Sequence, residues 1–280
     1  MRTSLPANLR PLCLLFGCVL AVAASPNASL AQEPASPPST VNPTSSLLQA
    51  AQRYGLNQPN TRPWRLKASF QLLDAQGNPT DTGTFELLWI SQLQYKQIYS
   101  SRSFTQTQYG VPGQVLFTGN PGMVPQAAFW LRNLFSSPMV SQIVISRSQV
   151  QVRGAAPGTP PSTGPGCYDL RAARQPANWV PLATYCFDDR GNLTTFTVGF
   201  PRMGDATYTR PLDFDGHLLP GDVLMQQNGV PVLRAHLESV RWFTDADRSE
   251  MQPPPDAAPW HPKTPVVGRT TSSAPPASAH

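Results

Sequence analysis

From Trp64 to Leu72 apolar and polar side chains alternate, with Trp64, Leu66, Ala68, Phe70 and Leu72 set against Arg65, Lys67, Ser69 and Gln71. A period of two puts one set on a buried face and the other in water, which predicts a half-buried strand. A turn cluster (74–82) follows, then strand patterns at 83–90, 94–100, 104–110 and 114–118. Connections this short cannot make parallel crossovers, so the strands form an antiparallel meander. At 123–135 the period changes: Met123, Ala127, Trp130, Leu131 and Leu134 form the apolar stripe of a helix lying on a core. Strand patterns resume at 141–153, 167–172, 183–188, 192–200, 205–214, 221–227 and 231–243, and Asn228-Gly229 marks a tight hairpin between the last two. Ahead of the first strand, residues 46–54 read as a short helix, with Ser46 and Gln49 at capping-box spacing and Gly55 placed to end it.

These elements predict a mostly β (α+β) fold: a strongly curved antiparallel sheet, or incomplete β-barrel, of about 10–11 strands with one or two covering helices. The pattern spans 45–252. Residues 32–44 read as a disordered linker and 253–280 as a disordered Pro/Ser-rich tail, since neither has the apolar content to build a core.

Residues 1–31 carry a different signature. Arg2 and Arg10 precede an apolar run, Leu12 to Ala24, followed by small residues, which is the layout of a cleavable signal peptide. The run is shorter than the ~20 residues that a membrane-spanning helix needs. Leu15-Phe16-Gly17-Cys18 loosely resembles a lipidation site, but the bulky Phe16 and the continuing apolar run argue against an anchor at Cys18. A periplasmic or secreted protein is expected, with peripheral or no membrane association after cleavage. Cleavage removes Cys13 and Cys18 and leaves Cys167 and Cys186, an even pair in an oxidising compartment, so a disulfide between neighbouring strands is expected. The net charge of +5 includes Arg2 and Arg10, and the remaining excess is scattered, without the basic stripe that nucleic-acid binding requires.

Several stretches resemble the periplasmic lipoprotein-carrier superfamily of LolA/LolB-like half-barrels. They are Pro63-Trp64-Arg65-Leu66-Lys67-Ala68-Ser69-Phe70, Asp74-Ala75-Gln76-Gly77, Gly83-Thr84-Phe85-Glu86, Tyr95-Lys96 and Phe104-Thr105-Gln106-Thr107-Gln108-Tyr109. Late in the chain, Tyr185-Cys186-Phe187-Asp188, Gly191-Asn192-Leu193 and Asp213-Phe214-Asp215-Gly216-His217-Leu218-Leu219-Pro220 resemble that superfamily's last strands. The chain is more closely similar to acidobacterial exported proteins that often carry a TonB-like C-terminal domain, whose pattern is absent after residue 255. The resemblance implies a carrier that holds acyl chains in a hydrophobic cavity between sheet and helices.

Candidate chemistry is sparse. No G-x-S-x-G occurs, the four histidines are scattered, and no cofactor or metal motif is present. His217 reads as a polar turn residue, His236 as lying on the wet face of its strand, and Asp188-Asp189 as a turn without the calcium-loop pattern. A non-enzymatic role is expected; a buried His–carboxylate pair beside a Ser or Thr would point instead to a hydrolase. The aromatic set Trp64, Phe70, Phe85, Trp89, Trp130, Phe196 and Phe200 falls on inward positions. These side chains are either the filled core of a tight sheet or the wall of a hydrophobic cavity. The expected partner is a lipid or lipoprotein acyl chain; the alternative is an envelope interaction module that docks a protein and has no cavity.

Overall fold

The computed structural model describes residues 42–58, 61–154, 166–172, 181–198 and 204–260, all within one unit, Thr40–His280. Helix α1 (Pro43–Arg53) starts three residues before the expected Ser46, because Asn42 caps it by accepting from Thr44 N at 2.9 Å and Pro43 fills the first turn. Five strands follow as a meander: β1 (Trp64–Leu73), β2 (Pro79–Ser91), β3 (Gln94–Ser101), β4 (Thr105–Val111) and β5 (Gln114–Gly119). Two helices come next, α2 (Gln126–Ser136) and α3 (Gln142–Ser146). A second meander then runs through β6 (Ser148–Val152), β7 (Cys167–Ala172), β8 (Ala183–Phe187), β9 (Leu193–Val198), β10 (Asp205–Phe214), β11 (His217–Gln227) and β12 (Val230–Trp242). Helix α4 (Asp245–Glu250) and the two-residue β13 (Ala258–Pro259) complete the described chain.

All the described strands join one antiparallel sheet in the order β13-β5-β4-β3-β2-β1-β12-β11-β10-β9-β8-β7-β6. It is a curved sheet that is not closed into a barrel, with β13 and β6 at its edges. The two meanders form two wings that meet where β1 pairs with β12. The chain crosses from wing to wing between β5 and β6, and α2 and α3 make that crossing. It leaves α2 packed on β2, β11 and β12, and α1 on α3, β6 and β11, so the helices cover one face of the sheet.

The period-two pattern decides which face they cover. Trp64, Leu66, Ala68 and Phe70 of β1 are buried towards the helices, together with Phe85, Leu87 and Trp89 of β2. Trp64, Trp89 and Tyr95 are cross-strand partners and form a ladder with ring centroids 6.0 Å apart at each step. Arg132 of α2 lies over this ladder, 5.0 Å from Trp89 and 4.6 Å from Tyr95, and ties the helix to the sheet by cation–π contact. The Tyr95 ring rests on its partner Gly110, where a Cβ would collide with it. Gly110→Ala should therefore displace Tyr95 and lower stability by about 1–3 kcal/mol, read as a urea midpoint shift at unchanged slope.

Four expectations change in detail. Thirteen strands occur among the described residues where about 10–11 were expected, and the two-residue edge strand β13 is the one with no counterpart in the sequence pattern. The 141–153 stretch is not one strand: Ser141 accepts from Val144 N and turns 142–146 into a helix before β6 begins. Helix α2 starts at 126 rather than 123, because Pro125 occupies the cap, and Met123 is 68% exposed instead of joining the core stripe. Residues 253–260, read as tail by composition, are held to the domain: Ala258 and Pro259 pair with β5, and Trp260 N donates to Val115 O at 2.8 Å. The hairpin at Asn228-Gly229 has positive φ at both residues (52° and 78°), as a type I′ turn requires. Cys167 and Cys186 are register partners on β7 and β8 and are disulfide-bonded. The signal segment and residues 261–280 lie outside the described residues.

Candidate functional site

Beneath α2 the sheet and helix layers do not close fully. A cavity of about 330 Å³ remains between Trp130 and Leu134 of α2, Met139 and Val140 of the following loop, and the β9–β11 strands. Cross-strand register explains its sheet wall. Phe196, Ala206 and Met225 are partners on β9, β10 and β11, so three inward side chains stand in one row, and the smallest is in the middle. The lining is apolar except for Asn133, Ser137 and Ser141. This volume is roughly twice that of a ~150 Å³ apolar cavity that takes up benzene.

The cavity wall is braced from behind. Tyr185 stacks on Phe196 at 5.0 Å and its hydroxyl accepts from Val140 N at 3.1 Å, tying the α2–α3 loop to β8. Burial raises the Tyr185 phenol well above its ordinary pKa, so it stays neutral there. The end of α2 is fixed by the 54–58 segment: Leu56 N donates to Ser136 O at 3.0 Å, and Asn57 Nδ2 to Ser137 Oγ at 2.8 Å. Trp64 Nε1 in turn donates to Leu56 O at 3.1 Å. Within the wall, Trp130 Nε1 is a buried donor with no hydrogen-bond acceptor among the described residues.

The structure divides the aromatic set. Trp130 and Phe196 stand on the cavity wall. Trp64 and Phe85 are fully buried, Phe70 packs on Tyr99 at 4.9 Å, and Trp89 lies in the ladder under Arg132. These four belong to the filled core of the β1–β3 wing, and Phe200 lies outside the described residues. The sequence reading did not single out Ala206, Met225, Met139 or Val140. The alternation Ala206/Tyr208 and Val223/Met225 carries a signal for two of them; the loop residues carry none, since only the tertiary crossing brings Met139 and Val140 over the sheet.

The opposite face of the sheet holds a second groove, of about 800 Å³. Ser69, His236 and Asp222 are successive register partners there on β1, β12 and β11. His236 Nδ1 lies 2.7 Å from Asp222 Oδ1, and Arg210 Nη1 lies 3.3 Å from Asp222 Oδ2. The pair is half-exposed (43% and 31%), and the Ser69 hydroxyl makes no hydrogen bond to the imidazole. Asp188 closes its turn by accepting from Arg190 N, Asn192 N and Asn192 Nδ2. Among the described residues no group of three or more His, Cys, Asp or Glu is placed to hold a metal ion, and no helix is long and apolar enough to cross a membrane.

No family model and no curated protein matches the sequence. Among solved structures, the chain is similar to an outer membrane lipoprotein-sorting protein domain from Vibrio parahaemolyticus, with 12% identity over 75% of this chain and 97% of that one and a TM-score of 0.37. It is similar to a LolA superfamily protein from Nitrosomonas europaea, with 10% identity over 74% and 96% of the two chains and a TM-score of 0.37. It is also similar to a chain of the Pseudomonas aeruginosa MucA/MucB complex, with 13% identity over 77% and 61% of the two chains and a TM-score of 0.35. The superfamily that the sequence resembles is represented among these structures, at low identity.

Proposed function

We propose that this protein is an exported, non-enzymatic carrier that holds a single hydrophobic chain, such as a lipid or lipoprotein acyl group, in the cavity beneath α2. The observation that carries the reading is the cavity itself: about 330 Å³ of apolar space walled by Phe196, Ala206 and Met225 below and Trp130 and Leu134 above. Burying ten methylenes there would contribute about 8 kcal/mol before the costs of association. Asn133, Ser137 and Ser141 at the polar part of the lining would meet the ligand's head group.

The test is native mass spectrometry of the mature chain purified from a bacterial periplasm, followed by lipid extraction. The expected result is co-purifying lipid near one per chain, reduced at least about tenfold by Met225→Gln, a difference of about 1.4 kcal/mol. A clean protein mass that stays unchanged when lipid is offered would overturn the reading.

A further inference from the structure

Residues 87–168 contain no Asp or Glu and five cations, Lys96, Arg102, Arg132, Arg147 and Arg153. This stretch supplies β3 to β5, both crossing helices and β6, so every carboxylate of the domain lies elsewhere. The same stretch carries five of the eight large apolar side chains exposed among the described residues: Leu93, Met123, Phe129, Ile143 and Val144 in addition to three outside it. Three of the five sit on the helical segment that closes the cavity. Phe129 lines the cavity and is still 52% exposed. Ile143 (63%) and Val144 (42%) lie two and three residues after Ser141, which also lines it. Arg147, one turn after Ile143, is exposed and makes no ion pair among the described residues.

Exposed apolar side chains grouped with cations and free of carboxylates are what an anionic bilayer surface selects: the apolar groups enter the acyl boundary and the cations stay at the head groups. We infer that the outward side of the α2–α3 segment docks reversibly on anionic phospholipid, with Phe129, Ile143 and Val144 inserted and Arg147 at the phosphates. The surface is continuous with the cavity lining through Phe129 and Ser141, so docking brings the cavity to the bilayer. An acyl chain can then pass between the two with little exposure to water. This deepens the carrier reading and rests on it for its purpose, while the docking itself needs no occupied cavity.

Flotation of the mature chain with protein-free vesicles tests it. The chain is expected to float with vesicles containing about 30% phosphatidylglycerol and to remain soluble with pure phosphatidylcholine, and about 0.5 M salt should weaken binding. The double variant I143D/V144D should bind at least about tenfold more weakly, and Arg147→Glu more than about fivefold. Both change exposed residues, and circular dichroism confirms that they fold. Both should keep wild-type lipid loading in native mass spectrometry, which separates failure of docking from failure of carriage. A folded wild-type chain that ignores anionic vesicles, or an I143D/V144D chain that binds them equally well, would overturn the inference. Binding only to membranes that carry envelope proteins would also overturn it and assign the surface to a protein partner.

Discussion

Asp247→Ala is expected to destabilise the domain by about 3 kcal/mol, the order of cost when one partner of a buried ion pair is removed. Arg65 and Arg241 are direct register partners on β1 and β12, so two guanidinium groups face each other across the joint between the wings. Like charges placed opposite in a sheet repel. Asp247, with a side chain only 1% exposed, lies between them: Oδ1 accepts from Arg65 Nη1 at 2.8 Å and from Arg241 Nη2 at 2.7 Å. Its other oxygen accepts from Thr244 N at 2.7 Å and Thr244 Oγ1 at 2.8 Å, which starts α4. Alanine removes the bridge and the helix cap together and leaves Arg65 with Glu86 and Glu250. Urea unfolding reads the loss, and faster hydrogen exchange confined first to 244–260 would locate it. A double-mutant cycle with Arg241→Met should return a coupling of about 2 kcal/mol.

The same carboxylate fixes the sign of the acid response. The Arg241 guanidinium, with the Thr244 and Arg65 donors, holds Asp247 well below the usual carboxylate range. At Asp81 the Ser103 hydroxyl, with backbone donors, lowers the pKa to about 2. Folded-state values below the unfolded value of about 4 mean that both groups stabilise fully above that pH and lose their contribution as the pH falls through the folded values. Stability should therefore decline from about pH 4 downwards, and less steeply in Asp247→Ala than in wild type.

What the sequence made legible was local, and what it concealed was tertiary. Alternation along 64–72 located β1 and its buried face, because a half-wet strand must alternate. Asn228-Gly229 located the last hairpin, because only residues tolerant of positive φ make that turn. The failures share a different cause. Asp247 looks like one acid in a polar stretch after the last strand, and nothing local says that β1 and β12 will set two arginines opposite each other around it. Met123 fits the helical stripe by spacing, yet Pro125 ends the helix before reaching it. The inward aromatics could be listed but not divided between core and cavity. That division depends on α2 crossing from β5 to β6 and touching β2, β11 and β12, and on Ala206 standing between Phe196 and Met225.

Ala206 gives the sharpest test of whether that space is a binding site. Ala206→Phe should abolish lipid loading, by at least about tenfold, while leaving the melting temperature unchanged or higher. The side chain is 2% exposed and points into about 330 Å³ of apolar space, so a phenyl group placed there gains burial without being forced into occupied volume. A tightly filled core would respond in the opposite way, since a benzyl-sized addition to close-packed surroundings costs about 1–3 kcal/mol or more. A second contrast follows from mass action. A ligand that binds only the folded state stabilises it, so stripping lipid from wild type should lower its melting temperature, whereas the Ala206→Phe chain, with its cavity filled by its own residue, should melt at the same temperature before and after stripping. If Ala206→Phe instead destabilises the fold and wild type is indifferent to stripping, the apolar space beneath α2 is not a ligand site. If both contrasts hold, the row Phe196–Ala206–Met225 is the floor of the carrier's cavity.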